Sequence, residues 1–366
     1  MAATRNVLIT GGSAGIGQAC VRRFVRGGDH VWFTYHSGRE RAARLVAELA
    51  GLGGPGELAG SGELAGPRGQ EGSARSAGLT GSAGLAESAG SWGPGGLAGS
   101  AGLRGPGGSS GPAGSAGPGG SGGPSESAAP SGSAVPTGPA GPAGPGDGRR
   151  YAPRAFEFRQ GEWSDHERLV AELPGPVDIL INNAAVGSKT VEQYVPGPGH
   201  AQDAAFLQIN AVGPLWLSEQ LLPGMRARGR GTIVNVASVG GGVAQFPGFR
   251  VADGMSKAAL AYLTRHLAAE LVHDPVDVLA ICPGAVDTPM FEASTLAGLT
   301  PSRRTALQSA LPGGRLIRPE EIAELVWWLA GPGAGLLHGA VIDASMGLGV
   351  RPGLLGGVVE GAGVEG

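Results

Sequence analysis

Short apolar runs alternate with amphipathic segments along most of the chain. The runs are apolar at nearly every position, which is typical of strands buried on both faces of a parallel sheet. The segments between them repeat their apolar residues with the period of a helix. The pattern predicts strands at residues 6–10, 30–34, 155–158, 177–181, 231–236, 277–281 and 340–343, and helices at 18–26, 39–50, 165–173, 204–228, 256–271 and 319–329.

This alternation predicts an α/β fold. Parallel strands joined by right-handed helical crossovers build a doubly wound sheet with helices on both faces. We therefore expect a single Rossmann-type sheet of about seven strands. Ligands of such sheets bind outside the carboxyl ends of the strands, so the candidate site lies in the loops that follow them.

Residues 51–150 break the pattern, because Gly, Pro, Ser and Ala dominate this tract. So few large apolar residues cannot offset the entropy of ordering the chain. We predict a disordered insertion between a helix and the third strand, with a binding role or an artefact of a repetitive gene as alternatives. Residues 1–50 and 151–350 then form one domain, and residues 351–366 form a flexible tail.

Charge and composition exclude several classes of binding partner. The net charge of −3 provides no basic field for nucleic acid or an anionic membrane. No apolar run reaches the length of a membrane span, and the first residues lack the pattern of a secretion signal. The seven histidines show no metal-ligand spacing, and Cys20 and Cys282 lie in apolar runs typical of the core. We expect a cytoplasmic protein with a small-molecule substrate and no nucleic acid, membrane or metal partner.

A glycine-rich turn joins the first strand to the first helix. Its glycines allow a tight turn, and the free N–H groups at the start of the helix attract a phosphate. In this position the turn predicts a dinucleotide site. The expected contacts are Thr10, Gly11, Ser13, Gly15, Ile16 and Gly17.

The spacing of this turn, TGxxxGxG, resembles that of the short-chain dehydrogenase/reductase family. Four later motifs agree and extend the resemblance over nearly all of the chain outside residues 51–150. They are Asn182-Asn183-Ala184-Ala185, Ile209-Asn210-Ala211, Ser238 after Val236-Ala237, and Pro283-Gly284 with Thr288. The general likeness is to reductases that act on ketoacyl groups of carrier proteins.

The resemblance implies a nicotinamide cofactor and the interconversion of a carbonyl and a hydroxyl group on a small organic or carrier-bound substrate. It also implies a homodimer or homotetramer formed through the long helices at 204–228 and 256–271. Ser238, Asn210 and Lys257 match catalytic positions of the family. Further cofactor contacts implied by the motifs are Asn182, Ala184, Lys257, Pro283, Gly284 and Thr288.

The end of the second strand bears on the choice of cofactor. An acidic residue there would bind the ribose 2′-hydroxyl and repel a 2′-phosphate. This chain instead has Tyr35 and His36, with Arg39 shortly after. The sequence therefore favours NADP over NAD. The alternative is that Arg39 is a solvated helix residue. The preference for NADP is weakened by Ala14, because many NADP-using relatives carry Arg at that position.

Asp253 departs from the family pattern, which has a tyrosine four residues before the lysine so that both share a helix face. The adjacent charge of Lys257 is expected to lower the pKa of Asp253 and keep it ionised. Burial would have the opposite effect and restore an acid. We therefore expect an active or impaired reductase, a non-redox isomerase or dehydratase that uses Asp253 as a base, or a catalytically silent cofactor-binding partner. Tyr194, in the loop after the fourth strand, is an alternative acid.

Residues 291–315 are expected to shape the substrate pocket. Apolar side chains recur there beside two arginines, which suits an apolar pocket beneath a lid. Ordinary helix packing is the alternative. The residues concerned are Phe291, Leu296, Leu299, Leu307, Arg303 and Arg304.

Overall fold

Seven strands form the centre of the fold in a computed structural model that describes residues 4–51, 152–246 and 249–355. The strands are β1 (Asn6–Ile9), β2 (His30–Tyr35), β3 (Arg154–Glu157), β4 (Ile179–Asn182), β5 (Gly231–Val236), β6 (Val276–Pro283) and β7 (Val341–Ala344). All are parallel to their neighbours, in the order β3-β2-β1-β4-β5-β6-β7. The predicted doubly wound parallel sheet is confirmed.

Helices connect the strands and cover both faces of the sheet. They are α1 (Gly15–Arg26), α2 (Arg39–Gly51), α3 (Trp163–Glu172), α4 (Val191–Tyr194), α5 (Gly199–Leu207), α6 (Gly213–Arg228), α7 (Val239–Gly242), α8 (Val251–Glu270), α9 (Pro289–Phe291), α10 (Pro301–Ala310) and α11 (Pro319–Leu329). A π-helical turn, Gln208–Val212, continues α5 into α6, and a second one, Glu292–Leu296, follows α9.

The core has two layers because successive side chains of a strand point to opposite faces. Val7 and Ile9 pack towards α1 and α11, against residues such as Phe24. Leu8, between them, packs on the other face against residues of α6 and α8 such as Leu217 and Leu263. Cys20 and Cys282 are both buried, as predicted.

Helix boundaries differ from the prediction where tertiary contacts override periodicity. The helix predicted at 256–271 begins five residues earlier, so its first turn carries Asp253. The helix predicted at 204–228 starts at Gly199 instead and is interrupted by the π turn around Asn210. A π turn adds one residue to the helical repeat, which here accompanies the hydrogen bonds of the buried Asn210 side chain.

Some expectations fall where the structure gives no description. The predicted insertion lies outside the described residues except for Gly51, and the predicted tail is described only to residue 355. Within the described ranges, no helix is both long and apolar enough to cross a bilayer. In the same ranges, no cluster of three or more His, Cys, Asp or Glu side chains is arranged to hold a metal ion.

Candidate active site

A cavity of about 750 Å³ opens at the carboxyl ends of the strands. Its wall includes Gly11 after β1, His36 after β2, Asn183 after β4, Ser238 after β5 and Gly284 after β6. The strand order reverses between β1 and β4, and the loops after these strands diverge there. This is the crevice in which doubly wound sheets hold their ligands.

The glycine turn forms one wall of the cavity. Gly11 and Gly15 adopt φ angles of 68° and 53°, in the left-handed region that favours glycine. A Cβ atom on Gly17 would lie 2.3 Å from the carbonyl oxygen of Gly11, so the start of α1 packs directly against the turn. No side chain caps this end of α1, which leaves its first N–H groups for an anion.

Thr10 and Asn183 hold the turn against the loop after β4. The Thr10 hydroxyl oxygen accepts hydrogen bonds from the backbone N–H groups of Asn183, at 3.0 Å, and Ala184, at 2.9 Å. The Asn183 amide donates in return to the Thr10 carbonyl oxygen at 2.9 Å. Thr10 and Gly17 therefore shape the turn without lining the cavity, whereas the predicted contacts Gly11, Ser13, Gly15, Ile16 and Ala184 do line it.

Neighbouring asparagines at the end of β4 have different surroundings. The Asn182 amide is buried and donates to Asn235 at 2.9 Å and to Ser218 at 3.3 Å, away from the cavity. Asn183 lines the cavity, although the sequence reasoning selected Asn182 in its place. The alternation of side chains along a strand is the signal that separates the two residues.

The basic side chain near the end of β2 that lines the cavity is not the predicted one. Tyr35 and His36 line the cavity, but the Arg39 side chain is 79% exposed and pairs with Glu157 at 2.8 Å. Arg41 lines the cavity instead. The sequence reasoning selected Arg39 for its short distance from β2. Arg41, on another face of the same helix, lines the cavity in its place, and only the helical phase distinguishes the two residues.

Ser13 and Arg41 converge on Gly38. A Cβ atom on Gly38 would lie 2.6 Å from the Ser13 hydroxyl oxygen and 2.8 Å from Nη2 of Arg41. Ser13 is only 7% exposed, and within the described residues its hydroxyl has no hydrogen-bond partner. A hydroxyl that lines the cavity beside a guanidinium suits an anionic or hydroxylated ligand.

Tyr194 lies at the same end of the cavity. Its ring stacks on His36, with 4.8 Å between the ring centroids and 29° between the planes. The two rings come from α4 and from the loop after β2, so they meet across the cavity wall. Tyr194, the alternative candidate for the acid, therefore packs against His36. The Asp253 carboxylate accepts a hydrogen bond from the Ser188 hydroxyl.

Lys257, Asp253 and Ser238 line the cavity together. The Lys257 ammonium donates to the carbonyl oxygen of Val236 at 3.3 Å. Burial lowers the pKa of Lys257, while Asp253 and Cys282 act to raise it. In the part of the chain that the structure describes, Lys257 and Asp253 influence each other without a direct ion pair.

The Asp253 carboxyl group is less acidic than the sequence predicted. Burial raises its pKa above the ordinary value, and this outweighs the lowering effects of Lys257 and of a hydrogen bond from Ser188. The prediction of a lowered pKa is therefore wrong in direction. The reason is that the cavity walls desolvate the carboxyl group. This raises its pKa by more than the charge of Lys257 on the same helix lowers it.

Asn210 is fully buried and does not line the cavity. Its amide nitrogen donates to the carbonyl oxygen of Val186 at 3.0 Å and to the hydroxyl of Ser256 at 3.1 Å. Its amide oxygen accepts from the N–H group of Val186 at 2.8 Å. The side chain thus ties the loop after β4 to α8.

Two hydroxyl groups cap short helices at the edge of the site. The Ser238 oxygen accepts from the N–H group of Gly240 at 3.2 Å, which leaves its own O–H free to donate into the cavity. Thr288 accepts from the N–H group of Phe291 at 3.2 Å at the start of α9. The predicted contacts Pro283, Gly284 and Thr288 all line the cavity.

The predicted substrate region contributes an apolar wall. Phe291 lines the cavity, and it packs with Leu296, Leu299 and Leu307 in a separate apolar cluster. Arg304 forms an ion pair with Glu292 at 2.5 Å, which links α10 to the second π turn. Cavity lining and ordinary helix packing therefore both contribute in this region.

Comparison with known proteins identifies the family. Residues 164–349, about half of the chain, match the family model described as enoyl-(acyl carrier protein) reductase, and residues 5–59 match that of short chain dehydrogenase. The chain belongs to the short-chain dehydrogenase/reductase family.

The individual relatives are named as dehydrogenases and reductases of different substrates. Galactitol 2-dehydrogenase of Rhizobium johnstonii is 32% identical over 200 residues, which cover 52% of this chain and 75% of that protein. Acetoacetyl-CoA reductase of Rhizobium meliloti is 38% identical over 186 residues, 49% of this chain and 70% of that protein. A variant of actinorhodin polyketide ketoreductase, crystallised with NADPH, shares the fold with a TM-score of 0.61 at 22% identity, covering 95% of this chain and 99% of that one.

Proposed function

We propose that this protein is a nicotinamide-dependent oxidoreductase that interconverts a carbonyl and a hydroxyl group on a small organic or carrier-bound substrate. The observation that carries the proposal is the meeting of Asp253, Lys257 and Ser238 with the glycine turn in one cavity. The acetoacetyl-CoA reductase and dehydrogenase relatives support this class of reaction. The apolar wall around Phe291 suits an apolar part of the substrate.

The residues of the cavity fit a nicotinamide dinucleotide, with NADP favoured over NAD. The uncapped start of α1 suits the pyrophosphate, and the unpartnered Ser13 hydroxyl with Arg41 suits a 2′-phosphate. The loop after β2 contains no carboxylate that would repel this phosphate. Lys257, Asn183 and Thr288 line the remainder of the cavity and would hold the rest of the cofactor.

When a nicotinamide cofactor is bound, its ring would supply a hydride for reduction of a carbonyl group or would accept one in the reverse direction. In its protonated form the Asp253 carboxyl group donates the proton that the substrate oxygen requires, and in the reverse direction the carboxylate takes a proton from the alcohol. Ser238 donates a hydrogen bond to the same oxygen, and the Lys257 ammonium in the cavity wall stabilises negative charge beside it. Burial raises the pKa of Asp253, which favours the protonated form and supports this role.

The test is turnover measured as the change in NADPH absorbance, with ketones, β-ketoesters and quinones as substrates. Asp253→Asn keeps the shape of the side chain but removes the proton, so we expect kcat to fall about 100-fold or more. Asp253→Tyr restores the family's usual group and should be active. If the wild type is inactive and only Asp253→Tyr turns over, the natural protein does not perform the redox reaction.

A second candidate is non-redox proton transfer, such as isomerisation or dehydration. The observation that favours it is the presence of the Asp253 carboxyl group and the Lys257 ammonium in the same cavity, a combination suited to proton abstraction. Substrate turnover without any change in NADPH absorbance identifies this activity. Binding of NADPH with neither effect identifies a catalytically silent partner.

We also propose that the protein is a homo-oligomer. Val251, Met255 and Tyr262 of α8 recur at helical spacing and remain exposed, with Tyr262 at 68%. An exposed apolar stripe on a long helix is typical of an interface. A second copy of this chain, with the same stripe, is the partner that matches it.

A further inference from the structure

Ser188 contacts the candidate acid of the site from a different part of the chain. It lies in the loop between β4 and α4, 65 residues before Asp253. Its hydroxyl group donates a hydrogen bond to Oδ2 of Asp253 at 3.2 Å. No motif of the sequence pointed to this residue.

The loop that carries Ser188 is held on both sides of it. Asn210 bonds both the N–H group and the carbonyl oxygen of Val186, two residues before Ser188. The Thr190 hydroxyl bonds both backbone groups of Gly187, at 2.8 and 3.2 Å. The hydroxyl of Ser188 is therefore presented by a loop whose neighbouring backbone groups already have partners.

The same network reaches the backbone of Asp253. The amide of Asn210 donates to the Ser256 hydroxyl at 3.1 Å, and that hydroxyl donates to the carbonyl oxygen of Asp253 at 2.7 Å. The main chain of Asp253 is thus tied to the loop through Asn210, and its side chain is tied to the loop through Ser188. Two connections between the same pair of segments restrict how the carboxyl group can turn.

We infer that Ser188 is a positioning residue, whose hydroxyl group orients the Asp253 carboxyl group for proton exchange with the substrate oxygen. This inference rests on the proposed function, in which Asp253 is the acid–base group.

The contact also has a defined electrostatic sign. A hydroxyl that donates to a carboxylate stabilises the ionised form, so Ser188 lowers the pKa of Asp253 against the effect of burial. Lys257, on the same helix, acts in the same direction, and the Cys282 thiol of β6 acts on Lys257. Removal of the Ser188 hydroxyl therefore raises the pKa of Asp253 further.

The first measurement is kcat/KM for carbonyl reduction as a function of pH, in the wild type, Ser188→Ala and Ser188→Thr. Reduction fails at high pH when Asp253 loses its proton, so in Ser188→Ala this limb should move by about one pH unit to higher pH, the effect of one hydrogen bond to a charged group. Ser188→Thr retains the hydroxyl, so its high-pH limb should lie closer to that of the wild type than the limb of Ser188→Ala does.

Thr190→Ala is the matched control. It removes a hydroxyl from the same loop that bonds only to the Gly187 backbone. Because Thr190 holds the backbone of Gly187 and does not contact Asp253, its limb should shift much less than that of Ser188→Ala. An equal shift in Thr190→Ala and Ser188→Ala would assign the effect to a loosened loop and overturn the inference.

A second readout does not depend on turnover. The carboxyl signal of Asp253 can be followed by NMR in protein labelled with ¹³C-aspartate, with Asp253→Asn used to assign it. A higher titration midpoint in Ser188→Ala, reversed in Ser188→Thr, supports the inference, and equal midpoints in all three proteins refute it. Absence of NADPH-dependent turnover in the wild type refutes the proposed function instead, so the two failures are distinguishable.

Discussion

Replacement of Asn210 by alanine tests whether this residue acts in the framework of the site. The substitution removes three hydrogen bonds that join Val186 and Ser256 to the π turn. Because Val186 is buried, its N–H group and carbonyl oxygen both lose their side-chain partner away from solvent. Each buried polar group left without a partner costs about 1–3 kcal/mol, so we expect a loss of about 3–5 kcal/mol in the free energy of unfolding.

The assay is urea unfolding followed by fluorescence and circular dichroism, with the midpoint and slope compared between variants. Gln208→Ala is the control, because this side chain lies in the same π turn and makes a single hydrogen bond, to the carbonyl oxygen of Gly161 at 3.3 Å. We expect it to cost about 1 kcal/mol or less. A loss below about 1 kcal/mol in Asn210→Ala, together with lost activity, would refute the framework role and favour direct participation in proton relay.

Three further predictions follow from charge and exposure. Arg41→Glu should raise the Kd for NADPH at least about tenfold while that for NADH changes little, and the same substitution at Arg39 should have a smaller effect, as measured by calorimetry. Arg315 holds the pKa of Glu321 at about 2, below its value in the unfolded chain. The pair therefore stabilises the fold above about pH 4, and this stabilisation is lost as the pH falls towards 2. In Glu321→Gln the free energy of unfolding should depend less on pH in this range. Tyr262→Glu should reduce the molar mass measured by light scattering to that of a smaller assembly, and an unchanged mass would exclude the α8 stripe from the interface.

Local periodicity was sufficient to predict the sheet. Most strand positions are apolar, and the amphipathic segments between the strands show the helical period, so the elements and their parallel arrangement follow from neighbouring residues. The position of the glycine turn between β1 and α1 likewise follows from a short stretch of chain. This is why the sequence placed Gly11 and Gly15 at the carboxyl edge, where the cavity is found, whereas Ser238 and Lys257 were selected by their match to motifs of the family.

The choice between neighbours required side-chain direction. Asn182 and Asn183 are adjacent in sequence, yet one lies in a buried network and the other lines the cavity. Arg39 and Arg41 differ in the same way, because two residues correspond to more than half a turn of helix. Sequence spacing located each segment correctly, and the phase of the strand or helix selected the residue.

The sequence by itself determined the fold class, the glycine turn and the candidate site residues Asp253 and Lys257 on one helix. Only the tertiary structure decided the state and surroundings of Asp253. Its pKa depends on burial by walls from several strands and on a hydroxyl 65 residues away in the chain. Desolvation and contacts of this kind are sums over distant segments, whereas the sequence pattern shows only the neighbouring charge of Lys257.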